Sequence, residues 1–180
     1  MRRRLAPALL AIALLGALPV LAACGAEEEE LDVKEGEPII ADDVTYNVVI
    51  SRFLNPDDTE DAEYLADAEA PAPGNIYFGV FMQIENESDE AITLPDEMRV
   101  VDTLNTTYKP LEIDSAYALE LGGEAPAGDS VPVPDSTAFD GPIQGSMVLF
   151  EVAKTATENR PLELEIPLPS GKVGLVELDI

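Results

Sequence analysis

Few residues in this chain can do chemistry, and they are of few types. Cys24 is the only thiol, 36 acidic residues supply carboxylates, and there is no histidine. Without histidine the usual zinc, copper and haem ligand sets are missing. So are a histidine-based triad and a histidine pH switch. Glu163 and Glu165 stand two apart, and an acid–base pair for glycoside hydrolysis needs two carboxyl groups across a cleft. Their alternation with Leu162, Leu164 and Ile166 reads instead as an outward, solvated strand face. Asp57, Asp58, Glu60, Asp61 and Glu63 crowd one stretch, and calcium takes several carboxylate oxygens, but no D-x-D-x-D-G loop is present. Ser146 follows Gly145 outside any G-x-S-x-G and has no base to activate it, so it reads as a strand residue. Asn86-Glu87-Ser88 and Asn105-Thr106-Thr107 match the N-glycosylation pattern, read here as coincidence. No catalytic constellation stands out, and neither a cofactor nor a metal is expected.

Cys24 takes its meaning from what precedes it. Arg2, Arg3 and Arg4 form a positive cluster, an uncharged run rich in Ala and Leu covers 5–23, and Leu21-Ala22-Ala23 leads into Cys24. A basic start, an apolar stretch and small residues at a cleavage point describe a secretory signal. A membrane-spanning helix needs about 18 apolar residues. Pro19, which costs a helix interior ~3 kcal/mol, and the acidic flank at 27–30 argue against one. The stretch Leu21-Ala22-Ala23-Cys24 resembles the lipobox of bacterial lipoproteins at all four positions. The resemblance implies diacylglyceryl transfer to the Cys24 sulfur, cleavage before Cys24, and an acylated new N-terminus at the extracytoplasmic face of the cell membrane. The alternative is a plain secretory signal with an incidental thiol. Two or more acyl chains hold a protein on a membrane where one chain is marginal. No Ser or Thr precedes the arginines and no Phe follows them, which favours the general secretory route over export in the folded state.

Removing 1–23 leaves 157 residues, seven of them basic and 36 acidic, a formal charge of −29. No basic stripe remains to neutralise phosphates, so nucleic acid is excluded as a partner. Direct adhesion to anionic lipid is excluded as well, leaving an acyl anchor as the membrane contact. With Cys24 acylated no disulfide can form, and a domain of this size must hold together by burial, which is sufficient at this length. Three regions follow: a signal over 1–23, a lipidated N-terminus with a disordered acidic linker over 24–43, and one β domain over 44–180. The linker reading rests on nine acids against one lysine in 25–43, a composition that self-repels and stays extended.

Period-two alternation locates the strands. The first covers 44–53, with Val44, Tyr46, Val48 and Ile50 on one face. A polar loop over 55–74 carries seven acids and a helical turn around 61–68. The strongest strand is 76–86, with Phe78, Val80, Met82 and Ile84 toward a core and Tyr77 and Phe81 opposite. Those two aromatics either form an exposed patch for a partner or pack under a loop or second sheet. Short strands follow at 91–94 and 97–104, then a turn at Asn105-Thr106-Thr107. The next strand, over 108–113, belongs on an edge because Pro110 cannot donate to a ladder. Residues 115–142 are rich in Gly and Pro and cross between sheets, with a helical turn at 115–121. Strands return at 143–153, 162–166 and 173–180. About seven short strands without a long helical period predict an all-β, antiparallel sandwich.

The succession of Gly74-Asn75-Ile76-Tyr77-Phe78-Gly79-Val80-Phe81-Met82-Gln83-Ile84-Glu85-Asn86-Glu87-Ser88 and Gly145-Ser146-Met147-Val148-Leu149-Phe150-Glu151-Val152 resembles a known family. It is the immunoglobulin-like domain of unassigned function carried by many exported bacterial lipoproteins, especially Gram-positive ones. The chain departs from it after Pro126-Ala127-Gly128, where some sixteen extra residues precede the Phe150 strand. The resemblance implies an immunoglobulin-like sandwich, a cell-surface location and protein contacts, and it brings no catalytic residues. The leading expectation is therefore a non-enzymatic, membrane-anchored lipoprotein that docks another envelope or exported protein. The second is a small-ligand or calcium receptor built on loops 55–74 and 122–142. A hydrolase using paired carboxylates ranks last.

Overall fold

Two long alternating stretches must each bury an apolar face, and the rest of the chain arranges itself to cover them. The computed structural model describes residues 31–180. It opens with β1 (Asp32–Lys34), β2 (Ile39–Ala41), β3 (Val44–Leu54) and β4 (Asn75–Asn86), with a short helix α1 (Thr59–Ala62) before β4. Six brief strands follow: β5 (Ile92–Thr93), β6 (Arg99–Val101), β7 (Thr107–Tyr108), β8 (Pro110–Leu111), β9 (Glu124–Ala125) and β10 (Ser130–Val131). Then come α2 (Thr137–Asp140), β11 (Ser146–Ala153), a 3-10 turn at Lys154–Thr157, β12 (Leu162–Pro167) and β13 (Val173–Leu178). One sheet has the order β2-β3-β4-β11-β8 with β10 beside β4, and the other β1-β13-β12-β6-β7. The named strands pair antiparallel, except that β1 runs parallel to β13. The fold is the expected all-β sandwich.

The core lies between the two sheets. Phe78, Val80, Met82 and Ile84 of β4 are fully buried against Leu162, Leu164 and Ile166 of β12 and Val176 and Leu178 of β13. Each such large side chain contributes roughly 1.5–3 kcal/mol of burial free energy. Val148, Phe150 and Val152 of β11 extend the same layer, in register with Val80, Phe78 and Ile76. Gly79, on the opposite face of β4, marks a close approach. A Cβ there would sit 3.0 Å from Leu54 Cδ1 and 3.3 Å from Met147 Sδ.

Three sequence expectations are corrected. The acidic linker does not reach residue 43. Asp32-Val33-Lys34 and Ile39-Ile40-Ala41 are strands, with Val33, Ile39 and Ala41 buried and their charged or exposed neighbours outward. Alternation over only three residues is enough here, because β13 and β3 supply ready edges. The 108–113 strand divides at Lys109: β7 pairs with β6 in one sheet and β8 with β11 in the other. Pro110 does stand on an edge. Finally, a bulge between Val48 and Ile50 inserts Val49, so Ile50 faces Phe81 rather than the core side that Val48 shares with Met82.

Two buried polar groups give stability an alkaline and an acid limb. The Tyr46 hydroxyl is buried with no hydrogen-bond partner among the described residues, and burial pushes its pKa up to about 12. The unfolded phenol ionises near pH 10. The neutral native form is therefore fully favoured below about pH 10, and that advantage disappears as pH rises through about 12. Asp102 sits at the root of the β6–β7 hairpin. It accepts from the Leu104 and Thr106 N–H groups at 2.9 and 2.8 Å, and from the Tyr108 hydroxyl and the Asn159 amide at 3.3 and 3.4 Å. Burial alone would raise its carboxyl, but the Thr106 and Leu104 N–H groups outweigh it and hold it below the ordinary carboxylate range. Its contribution is present above the unfolded pKa near 3.9 and is lost as pH falls through the lower native value. In urea unfolding, Tyr46→Phe should be neutral to about 1 kcal/mol stabilising at pH 7 and should flatten the loss above about pH 10. Asp102→Ala should cost about 2–3 kcal/mol at pH 7 by orphaning buried donors, and the difference from wild type should shrink as pH falls below the ordinary carboxylate range and through the lowered native value.

Candidate functional site

Two segments roof the outer face of β4 and β11, the loop 55–74 and a second loop formed around Tyr117 and Ala138. The expected loop 122–142 also contributes β9 and β10, which pair with β5 and β4. In the first roofing loop, Asp61 of α1 is buried, pairs with the Arg52 guanidinium and accepts from the Asn55 N–H at 2.8 Å. Asp58 caps α1, accepting from the Glu60 N–H at 2.9 Å. These ties carry Tyr64 over the sheet. There its ring meets Phe81 edge-on at 5.0 Å and Tyr117, from the second loop, at 4.6 Å. The second loop is held where the Met147 N–H donates to Tyr117 O at 2.6 Å and the Gly145 N–H to Ala138 O at 3.1 Å. Leu54, Leu65, Tyr77, Met147 and Leu149 complete this second apolar cluster. Tyr77 and Phe81 are thus buried, and the exposed-patch alternative is replaced by packing under the loops.

The acidic residues do not converge. Among the described residues no group of three or more His, Cys, Asp or Glu side chains is placed to hold a metal ion. Asp61 and Asp58 are engaged as described, and Glu63 accepts from the Tyr117 hydroxyl at 3.4 Å. Glu163 and Glu165 lie on the outer face of β12, where Glu165 pairs with Arg99. Burial, and then the charges of Asp32, Glu165 and Glu177, push the Glu163 carboxyl up. Neither glutamate faces another carboxyl across a cleft; both stand on one strand face. Ser146 is buried at the start of β11. Cys24, with Leu21, Ala22 and Ala23, lies outside the described residues.

A hollow escaped the sequence reading. It encloses about 310 Å³ where β3 ends and β4 begins, walled by Phe53, Leu54, Ile76, Tyr77, Pro56 and Pro71, with Asn55, Asn75 and Lys154 at its rim. Its edges are tied down. The Lys154 N–H donates to Gly74 O, the Asn75 N–H to Ala72 O and the Asp58 N–H to Asn55 O, each at 2.9 Å. Glu151 accepts from the Ala72 N–H at 2.9 Å and the Asn75 amide at 2.6 Å. Lys154 makes no ion pair among the described residues, whereas Lys34, Arg52 and Arg99 each pair with a carboxylate. The hollow's residues come from three distant stretches, so no local motif announces it. It opens at the end of the sandwich opposite Leu31, whose carbonyl accepts from the Leu175 N–H at the start of β13.

No family model matches the sequence, and no curated protein matches it. Solved structures do resemble the fold. An uncharacterised β-sandwich protein from Clostridium difficile 630 superposes with a TM-score of 0.52 at 13% identity, over 85% of this chain and 97% of that one. The yjhA protein from Bacillus subtilis aligns at 0.47 and 13% identity, over 81% of this chain and 98% of its own. An inferred lipoprotein of Bacillus subtilis, ycdA, aligns at 0.49 and 12% identity over 81% of this chain, which spans 39% of that longer protein. At these identities the likeness shows the fold alone: the chain is a β-sandwich, as is the Clostridium difficile protein.

Proposed function

We propose that the protein is a lipid-anchored lipoprotein of the extracytoplasmic membrane face, and that its sandwich is a non-enzymatic module docking another envelope or exported protein. The observation that carries the reading is Leu21-Ala22-Ala23-Cys24, placed at the end of an uncharged run and containing the chain's only cysteine. Among the described residues no helix is long and apolar enough to cross a membrane, so under this reading the acyl group supplies the attachment. The first strand among the described residues is β1, so under this reading 24–31 separates the anchor from it. Fully extended, that stretch reaches about 25 Å at ~3.3 Å per residue. The sandwich therefore stands close to the bilayer, with the hollow at its far end.

Mass spectrometry of the native protein should find Cys24 as the N-terminal residue, carrying diacylglycerol. Cys24→Ala should release the protein from the membrane fraction into the soluble fraction or medium while leaving its melting temperature unchanged. An intact leader with an unmodified thiol would refute the anchor.

A further inference from the structure

We propose that the hollow at the membrane-distal end receives the C-terminal residue of an exported polypeptide, with its apolar side chain against Phe53 and Ile76 and its terminal carboxylate at Lys154. The inference rests on the docking reading and names what is docked. The walls are apolar, and about 310 Å³ is at the small end of ligand sites, room for a large side chain rather than a long chain. Pro56 and Pro71 stiffen the rim, and the backbone bonds from Lys154, Asn75 and Asp58 hold it in place, so little is ordered on binding.

The charge pattern selects the occupant. The Lys154 ammonium makes no ion pair among the described residues, and its nearest acidic neighbour in sequence, Glu151, already accepts from Ala72 and Asn75. One carboxylate is therefore accommodated, while a polyanion meets the acids of 57–69. A chain end that is apolar at its last residue and neutral or basic upstream satisfies both conditions. Position decides between a peptide end and a lipid acid. On the anchor reading the hollow faces away from the bilayer, where exported proteins and not membrane lipids are at hand. Asn55, which lines the hollow, also offers its side-chain amide N–H to a peptide backbone.

The test uses full-length protein in detergent, titrated with a neutral pentapeptide ending in leucine, its C-terminal amide, the same peptide ending in glycine, and octanoate. The free acid should bind about fivefold tighter than the amide, as expected for an exposed ion pair of ~1 kcal/mol. That preference should vanish in Lys154→Gln and shrink at 1 M salt. Ending in glycine should weaken binding by more than about tenfold through lost leucine burial. Pro56→Trp should block the hollow, with unchanged melting temperature as the folding control for both variants. Equal affinity for acid and amide, wild-type behaviour of Lys154→Gln, octanoate binding without peptide binding, or no binding at all would each overturn the proposal. An unmodified Cys24 would remove the anchor reading and leave the peptide result standing, so the two failures are separable.

Discussion

Both faces of β4 must be covered. Phe78, Val80, Met82 and Ile84 on one side and Tyr77 and Phe81 on the other are all buried, in a chain whose single cysteine leaves no disulfide to share the work. The second sheet covers the first face. The small β5–β9 sheet packs with the first core, so the other face is covered by residues of 55–74 and by Tyr117, Ala138 and Ile143. That requirement explains why the loops are long, why Gly79 has no side chain, and why Tyr64 and Tyr117 meet above Phe81. In the first loop Asp58, Asp61 and Glu63 are drawn into holding the roof down.

Charge and burial are separated cleanly enough for both to operate. The buried carboxylates are each compensated: Asp61 by the Arg52 guanidinium and a backbone N–H, Asp102 by four donors. Asn86 works the same way without charge. Buried at the end of β4, its amide nitrogen donates to the carbonyls of Glu90, Ala125 and Pro126, while its oxygen accepts from Ser88. This ties the ribbon formed by antiparallel β5 and β9 to the sheet, and it explains why Asn86, with Ser88 two residues on, closes the strand. A glycosylation motif by pattern is thus a buried structural knot by geometry, in keeping with the cost of leaving a buried amide unpaired.

Legibility followed pattern length. β4, β11, β12 and β13 alternate over six residues or more, and their core faces could be read directly from the residues. β1 and β2 could not, because one or two apolar residues among nine acids look like a solvated tether until the edges of β13 and β3 are known to be waiting for them. The division at Lys109 was hidden for a different reason. Tyr108 and Leu111 fit one strand as well as two, and only the closing of the sandwich sends them to opposite sheets. The hollow lay beyond any local reading, since Phe53, Ile76 and Lys154 become neighbours only through the β3–β4 and β4–β11 pairings.

On the proposed anchor at Cys24, electrostatics also bears on how such a body stands. The outer face of the β1-β13-β12-β6-β7 sheet carries Asp32, Glu163, Glu165 and Glu177 against Lys34 and Arg99. The opposite flank carries the acids of 57–69, so neither broad face can lie on an anionic leaflet without repulsion inside a Debye length of about 8 Å. On that reading the narrow end that holds Leu31 turns to the bilayer. The 55–74 rim, the Lys154–Thr157 turn and the β6–β7 tip are carried outward together. That tip exposes Leu104 at 69%, yet its backbone is pinned to Asp102 and, through the Thr103 N–H, to Asn159 O at 3.2 Å. A rigid apolar side chain and a rigid apolar hollow at the outward end need no ordering before contact.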